Sequence, residues 1–272
     1  MTESQSNNNR KLPVQRILIL SFQLMKQRMY SFIRLGFPII ILALASILIN
    51  LNDESAIMFL IQMNINPFFM VLILIFLWAI FIMVTVGCHR GFLLNDSGIQ
   101  QTKTLRWKSR EWRFLGWGLL IGLVVGLFLV VWAFVIAALG MERVDNSAIT
   151  IISNQVISLP ILYFFSRWSL IFPSIAVDDP NSNLTEAWWL SEGNGWRLTF
   201  LIIIVPLIIE IILSFISIDD LALLSIINTI IWLLVTLYQI GLLSLSYSFL
   251  KENHLQEEAE EDNNIESNNY EV

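Results

Sequence analysis

The sequence predicts an all-α integral membrane protein with six transmembrane helices arranged as three helical hairpins, and three observations carry that reading. Of the 272 residues, 56% are hydrophobic and only 14% charged, with a mean hydropathy of +0.68; soluble domains carry about a quarter charged residues. Six stretches are long enough to cross a hydrocarbon core about 30 Å thick, which takes about 20 apolar residues. The basic residues fall on one side of those stretches. Spans must be helical, because open strands would leave backbone donors and acceptors unpaired in lipid.

Residues 1–11 are polar and aperiodic and read as a disordered N-terminus. Leu12–Met29 carries apolar residues at roughly helical spacing, with Arg16, Lys26 and Arg28 available to headgroups, and reads as an amphipathic helix lying in the interface. The spans follow at Ser31–Asn50, Pro67–Val86, Gly116–Gly140, Ala148–Ser166, Leu198–Ile218 and Leu221–Tyr247. The membrane domain thus occupies 12–250. Residues 251–272 hold eight acids against Lys251 and read as an acidic, disordered tail. Ala43-Leu44-Ala45-Ser46 resembles a signal-peptide cleavage site, but the long basic segment before it and the apolar run to Ile49 favour a retained first span.

Segments 1–34, 87–115, 167–197 and 248–272 hold six, six, two and one of the Lys and Arg residues, 15 of the 16. That asymmetry places those segments and both termini in the cytoplasm and requires an even number of spans. Phe32-Ile33-Arg34-Leu35, Trp112-Arg113-Phe114-Leu115 and Trp196-Arg197-Leu198 open the outgoing spans with an aromatic and an Arg. Either three copies of a hairpin or ordinary boundary belts produce that pattern.

Cys88 is the one cysteine, and His89 and His254 lie far apart, so no metal or cofactor site is expected. The net charge of −6 argues against nucleic acid as a partner. Lipids are the expected partners. Lys103, Arg106, Lys108, Arg110 and Arg113 interleave with Trp107 and Trp112 beside a span, a pattern suited to anionic headgroups, each charge contributing about 1 kcal/mol near the surface.

Within the membrane, Gly118, Gly122 and Gly126 form a GxxxGxxxG stripe that fits close packing inside the chain, with a homo-oligomer or another membrane protein as the alternative partner. Pro206, Glu210 and Ser214 lie four residues apart on the fifth span, and Pro206 cannot bond to the carbonyl of Ile202. Ser225, Thr229, Trp232, Thr236 and Gln239 make a facing stripe on the sixth. Glu210 is either a neutral, hydrogen-bonded structural acid or, with Thr229, Gln239 and the fourth span's Asn154, Gln155 and Ser158, the lining of a solute path.

After the fourth span, Asn183 followed by Glu186 reads as a capping box and Gly193 as a stop, giving a short cytoplasmic interfacial helix over Leu184–Glu192 with Trp188 and Trp189 at the surface. Asp178, Asp179, Glu186 and Glu192 read as solvated loop acids rather than a catalytic pair. In this region Arg167, Leu170, Pro173, Ala176, Asp178, Trp188, Ser191, Gly193, Asn194, Trp196, Arg197 and Leu198 resemble a loose motif of about 30 residues. It is similar to that of the YciC-like bacterial inner-membrane proteins and the membrane domain attached to some glycerophosphodiester phosphodiesterases. The six-span layout resembles that group over most of the chain. The resemblance implies a bacterial inner membrane and a fold of unassigned role; the soluble phosphodiesterase domain is missing, so its activity is not implied. The expected function is therefore non-enzymatic, a scaffold or lipid-interacting accessory in envelope upkeep, with a small-solute or ion transporter as the alternative.

Overall fold

The structure, a computed structural model, describes residues 11–50, 66–103, 105–138, 159–214 and 222–269, and among them it is helical with no strand. The helices are α1 (Val14–Gln27), α2 (Met29–Asn50), α3 (Pro67–Leu93), α4 (Asp96–Gln101), α5 (Ser109–Ala138), α6 (159–168), α7 (Ile171–Ala176), α8 (Leu184–Leu190), α9 (Gly195–Thr199), α10 (Val205–Ser214) and α11 (Ala222–Asn269). Five helical stretches are long and apolar enough to cross a membrane, and α1 with α2, bent by 79°, makes a sixth candidate. The chain is a multi-pass membrane protein.

Local chemistry sets the helix starts. Asn66 caps α3 by accepting from the Phe68 N–H at 2.9 Å, with Pro67 at the first helical position, where its missing N–H costs nothing. Asn95 caps α4 by accepting from the Gly98 N–H at 3.0 Å. At 27 residues α3 runs about 40 Å, longer than the hydrocarbon core, so its last turns with His89 and Arg90 reach a polar zone. Between α9 and α10 lies a π-helical turn, Phe200–Ile204, closed by the Val205 N–H on the Phe200 carbonyl. It ends two residues before buried Pro206, whose missing N–H breaks the regular ladder; a local π adjustment is one way a span accommodates that loss.

Burial concentrates at one end. Leu12, Ile17, Leu170, Leu198, Leu201 and Leu242 form one apolar cluster; Ile82, Val86, Phe114, Ile121, Ile171 and Ile175 form a second. In the third, Phe32 packs on Phe92 with ring centroids 4.6 Å apart. This end is the one that carries the turns at 94–108 and 177–194.

Two expectations need correction, and the N-terminal amphipathic helix gains a partner. Its inner face packs on protein: Ile17, Ser21 and Met25 are buried, α1 packs against α11, and Tyr238 donates to the Leu18 carbonyl at 3.2 Å. Only its other face, with Ile19 and Phe22, is exposed. The acidic tail is helical to Asn269 rather than disordered, because no Gly or Pro interrupts 242–272 and Leu, Gln, Glu and Ala favour helix. The glycine stripe of α5 does not pack inside the described chain: a Cβ at Gly122 or Gly126 would meet nothing within 4 Å, and one at Gly118 only the Phe172 ring at 3.8 Å. Glycines that do admit a neighbour include Gly87 and Gly91 on α3, a second GxxxG, where Leu35 and Phe32 of α2 sit, Gly195 under the Tyr163 ring and Gly241 under the Phe92 ring. A Cβ at Gly91 would lie 2.5 Å from the Phe32 ring.

Candidate functional site

The buried polar residues gather in a clasp at the end where the loops meet. Its first part is charged. Arg90 of α3 donates through Nη1 to the Ala176 carbonyl at 2.8 Å and to Asp178 Oδ2 at 3.3 Å. Arg110 of α5 donates to the same Asp178 oxygen at 3.2 Å and, through Nε, to Glu111 Oε1 at 2.8 Å. Glu111 is 2% exposed, and its other oxygen accepts the Lys108 N–H at 2.7 Å. Asp178 reaches both guanidiniums from a left-handed backbone position at φ 60°, a conformation that Asp tolerates better than most residues. Buried ion pairs such as Arg110–Glu111 add little net stability, because desolvation offsets their attraction, but breaking one is costly. Here they fix how α3, α5 and the 177–183 turn meet.

The second part surrounds Asp179. Tyr247 of α11 donates to Asp179 Oδ2 at 2.6 Å, the Asn181 N–H donates to Oδ1 at 2.9 Å, and the Lys251 ammonium stands 3.4 Å from Oδ2. Burial opposes ionisation of this carboxyl. The Tyr247 and Asn181 hydrogen bonds and the Lys251 charge outweigh that and hold Asp179 below its ordinary value. Lys251 also bonds Glu186 Oε1 at 3.1 Å. The capping box is therefore half formed: Asn183 accepts the Glu186 N–H at 2.8 Å, but the Glu186 side chain reaches α11.

The third part is built on a cation. Arg167 is 6% exposed, and no carboxylate pairs with it among the described residues. It donates through Nε to Ser191 Oγ at 2.7 Å and through Nη2 to the Trp188 carbonyl at 2.5 Å, and its Cζ lies 3.4 Å above the Trp188 ring. The aromatic face and hydroxyl replace the water that burial removes. Trp188 is thus a platform under Arg167, stacked on Phe164, while Trp189 is 59% exposed. Nearby, Ser166 and Thr199 hydroxyls lie 2.8 Å apart. Asn194 Oδ1 accepts the Leu12 N–H at 2.7 Å and Arg197 donates to the Leu12 carbonyl at 3.0 Å, so the peptide ahead of α1 is held from both sides.

The loop acids read as solvated are consequently bonding groups: Asp178, Asp179 and Glu186 each take at least one cation. The loop that carries the sequence motif is the centre of the clasp, since Arg167, Ala176, Asp178, Trp188, Ser191, Asn194 and Arg197 all bond within it. Sequence reading did not find Arg90, Tyr247 and Lys251. The one signal for Arg90 was a charge placed at the end of an apolar run, between Gly87 and Gly91.

Of the headgroup candidates, Lys103, Arg106 and Lys108 are exposed, Arg113 is half-buried, and Arg110 is turned inward at 7% exposure. The intramembrane candidates are not brought into one described site. Pro206 is buried, Thr229 and Gln239 are half-buried, and the Thr236 hydroxyl donates back to the Trp232 carbonyl at 2.9 Å. Glu210 and Ser214 lie on α10 with side chains outside the described residues, as is that of Ser225; Asn154, Gln155 and Ser158 lie outside them altogether. Among the described residues no group of three or more His, Cys, Asp or Glu is placed to hold a metal ion. His89, 2% exposed, bonds through Nδ1 to Ser244 Oγ at 2.8 Å, and Ser244 donates to the Ile240 carbonyl, so the ring serves to join α3 and α11.

No family model, curated protein or solved structure matches the chain.

Proposed function

We propose that this chain is a non-enzymatic, six-span protein of a bacterial inner membrane, with both termini cytoplasmic, that serves envelope upkeep as a lipid-interacting scaffold. The six-span, three-hairpin layout and the orientation rest on the distribution of Lys and Arg. The bacterial inner membrane rests on the resemblance to the YciC-like group. The single observation that carries the functional reading is the division of charge at the clasp end. Arg90, Arg110 and Arg167 are spent on carboxylates, carbonyls and an aromatic face inside the chain. Lys103, Arg106 and Lys108 remain exposed beside Trp107 and the 63%-exposed Trp112, at the entry of α5. Exposed cations with Trp at a span boundary suit anionic headgroups.

Native mass spectrometry of the purified protein with anionic phospholipid tests this. The Lys103→Gln, Arg106→Gln, Lys108→Gln variant is expected to retain several-fold less anionic lipid, with the remaining difference shrinking in high salt. Equal retention by wild type and variant would remove the reading.

A further inference from the structure

A half-open pocket of about 480 Å³ lies between the peptide ahead of α1, the loop after α8 and the turn of α11 at Leu250–His254. Leu190 and Leu250 supply apolar wall, and the exposed Trp189 stands at its rim. Three of its polar groups are unspent. Lys11 and Glu192 are exposed and form no ion pair with any described residue. The amide nitrogen of Asn253 is buried and has no hydrogen-bond partner among the described residues, a condition that calls for an explanation in a folded protein. Glu186, also on the wall, is occupied by Lys251.

The depth of the pocket is set by α11. Counted from Ile226, about 20 residues cross the hydrocarbon, so Leu250 to His254 stand about 6 to 12 Å beyond it, at headgroup level. An exposed Trp belongs at that level as well.

We propose that this pocket binds a phosphoethanolamine group, the phosphate taken by Lys11 and the Asn253 amide N–H and the ammonium by Glu192. The inference rests on the lipid-interacting reading above and assigns it a second, distinct site. Glu186 being neutralised by Lys251, an anion alone would face the Glu192 carboxylate, and a cation alone would face Lys11; a zwitterion satisfies both signs. A primary ammonium donates to a carboxylate, whereas a quaternary one has no N–H and is recognised by an aromatic cage; beside the His254 imidazole, Trp189 is the one Trp, Tyr or Phe among the lining residues, too few for such a cage.

Native mass spectrometry of the full-length protein in detergent would compare phosphatidylethanolamine, phosphatidylcholine and phosphatidylglycerol with identical acyl chains. Phosphatidylethanolamine is expected to bind several-fold tighter than either. Glu192→Gln, at an exposed position that leaves the fold intact, should weaken it about tenfold, the effect of one charge-assisted hydrogen bond, and leave phosphatidylglycerol unchanged. Lys11→Gln should weaken phosphatidylethanolamine as well. Competition by soluble glycerophosphoethanolamine would show that the free group is also a ligand; its failure to compete would assign the site to the lipid. Phosphatidylethanolamine binding no tighter than the other two lipids, or unaffected by Glu192→Gln, would overturn the proposal. The Lys103, Arg106, Lys108 variant separates the two claims, because it should lose anionic lipid while keeping the phosphatidylethanolamine preference.

Discussion

Two candidate spans, Leu159–Ala176 and Ser109–Val135, are built on opposite principles. The first is 56% buried over its most apolar window and carries Ser166, Arg167, Ser169 and Ser174; the second is 6% buried and carries the glycine stripe with Leu119, Leu123, Leu127 and Phe134 facing outward. Apolar side chains gain nothing by leaving lipid for another apolar surface. The second span therefore places few demands on its neighbours beyond its first four turns, where Arg110, Phe114 and Ile121 are buried. Polar side chains near the lipid boundary need specific partners, and the first span finds them in α3, the loop after α8 and α9 while packing on α5 and α11. The bilayer supports the spans, while the clasp specifies which segments meet.

Mutations can break that comparison. Arg167→Ala should have the largest effect, about 3 kcal/mol or more, because it removes three charge-assisted hydrogen bonds, the one to the Tyr163 hydroxyl being long at 3.4 Å, and a desolvated cation–π contact, and leaves Ser191 with one fewer partner. Thermal unfolding in detergent checks it, and Arg167→Lys should recover only part of the loss, since an ammonium cannot span these acceptors and lie flat on Trp188. Next comes Gly91→Ala, expected to cost about 1–3 kcal/mol, because the new Cβ would press on a Phe32 ring that Phe92 holds in place. On the same melting curve Gly122→Ala and Gly126→Ala, in open space, should not destabilise, and the better helix propensity of alanine should raise stability by up to about 1 kcal/mol. A stripe alanine as damaging as Gly91→Ala would invert the comparison.

The smallest effect is pH-dependent. Asp179 has a folded value depressed below 3.8, so its contribution is complete above that pH and is lost as pH falls through the lower folded value. Its side chain is 11% exposed, which shields the Tyr247 bond from water. Tyr247→Phe should therefore cost on the order of 1 kcal/mol at neutral pH. That deficit should shrink in acid, as melting at pH 7 and pH 3 would show. A deficit that grows on acidification would contradict this account of the pair.

Hydropathy made the spans readable because crossing a bilayer is a property of contiguous residues: α3 begins at Pro67, and α11 at Ala222, within a residue of the expected boundaries. The Asn183 cap was legible for the same reason, its bond reaching only three residues. The clasp was not, since its bonds join Arg90 to Asp178, Asp179 to Tyr247 and Leu12 to Asn194, and nothing local at either end names the other. Among basic residues the sequence treats Arg106 and Arg110 alike; only the position of Glu111 and Asp178 in space turns one inward and leaves the other outside. The two glycine motifs pose the same problem, for spacing is identical in both and the facing helix decides which is used.

Segments far apart in the chain, from Leu12 to Lys251, assemble at one end of the helices. Single cysteines at the exposed positions Lys11, Lys103, Glu192 and Glu252, in a Cys88→Ser background, test it in sealed vesicles with a membrane-impermeant maleimide. The account predicts that all four label from the same side, the cytoplasmic one, and are protected from the other; any one of the four labelling from the opposite side would contradict it.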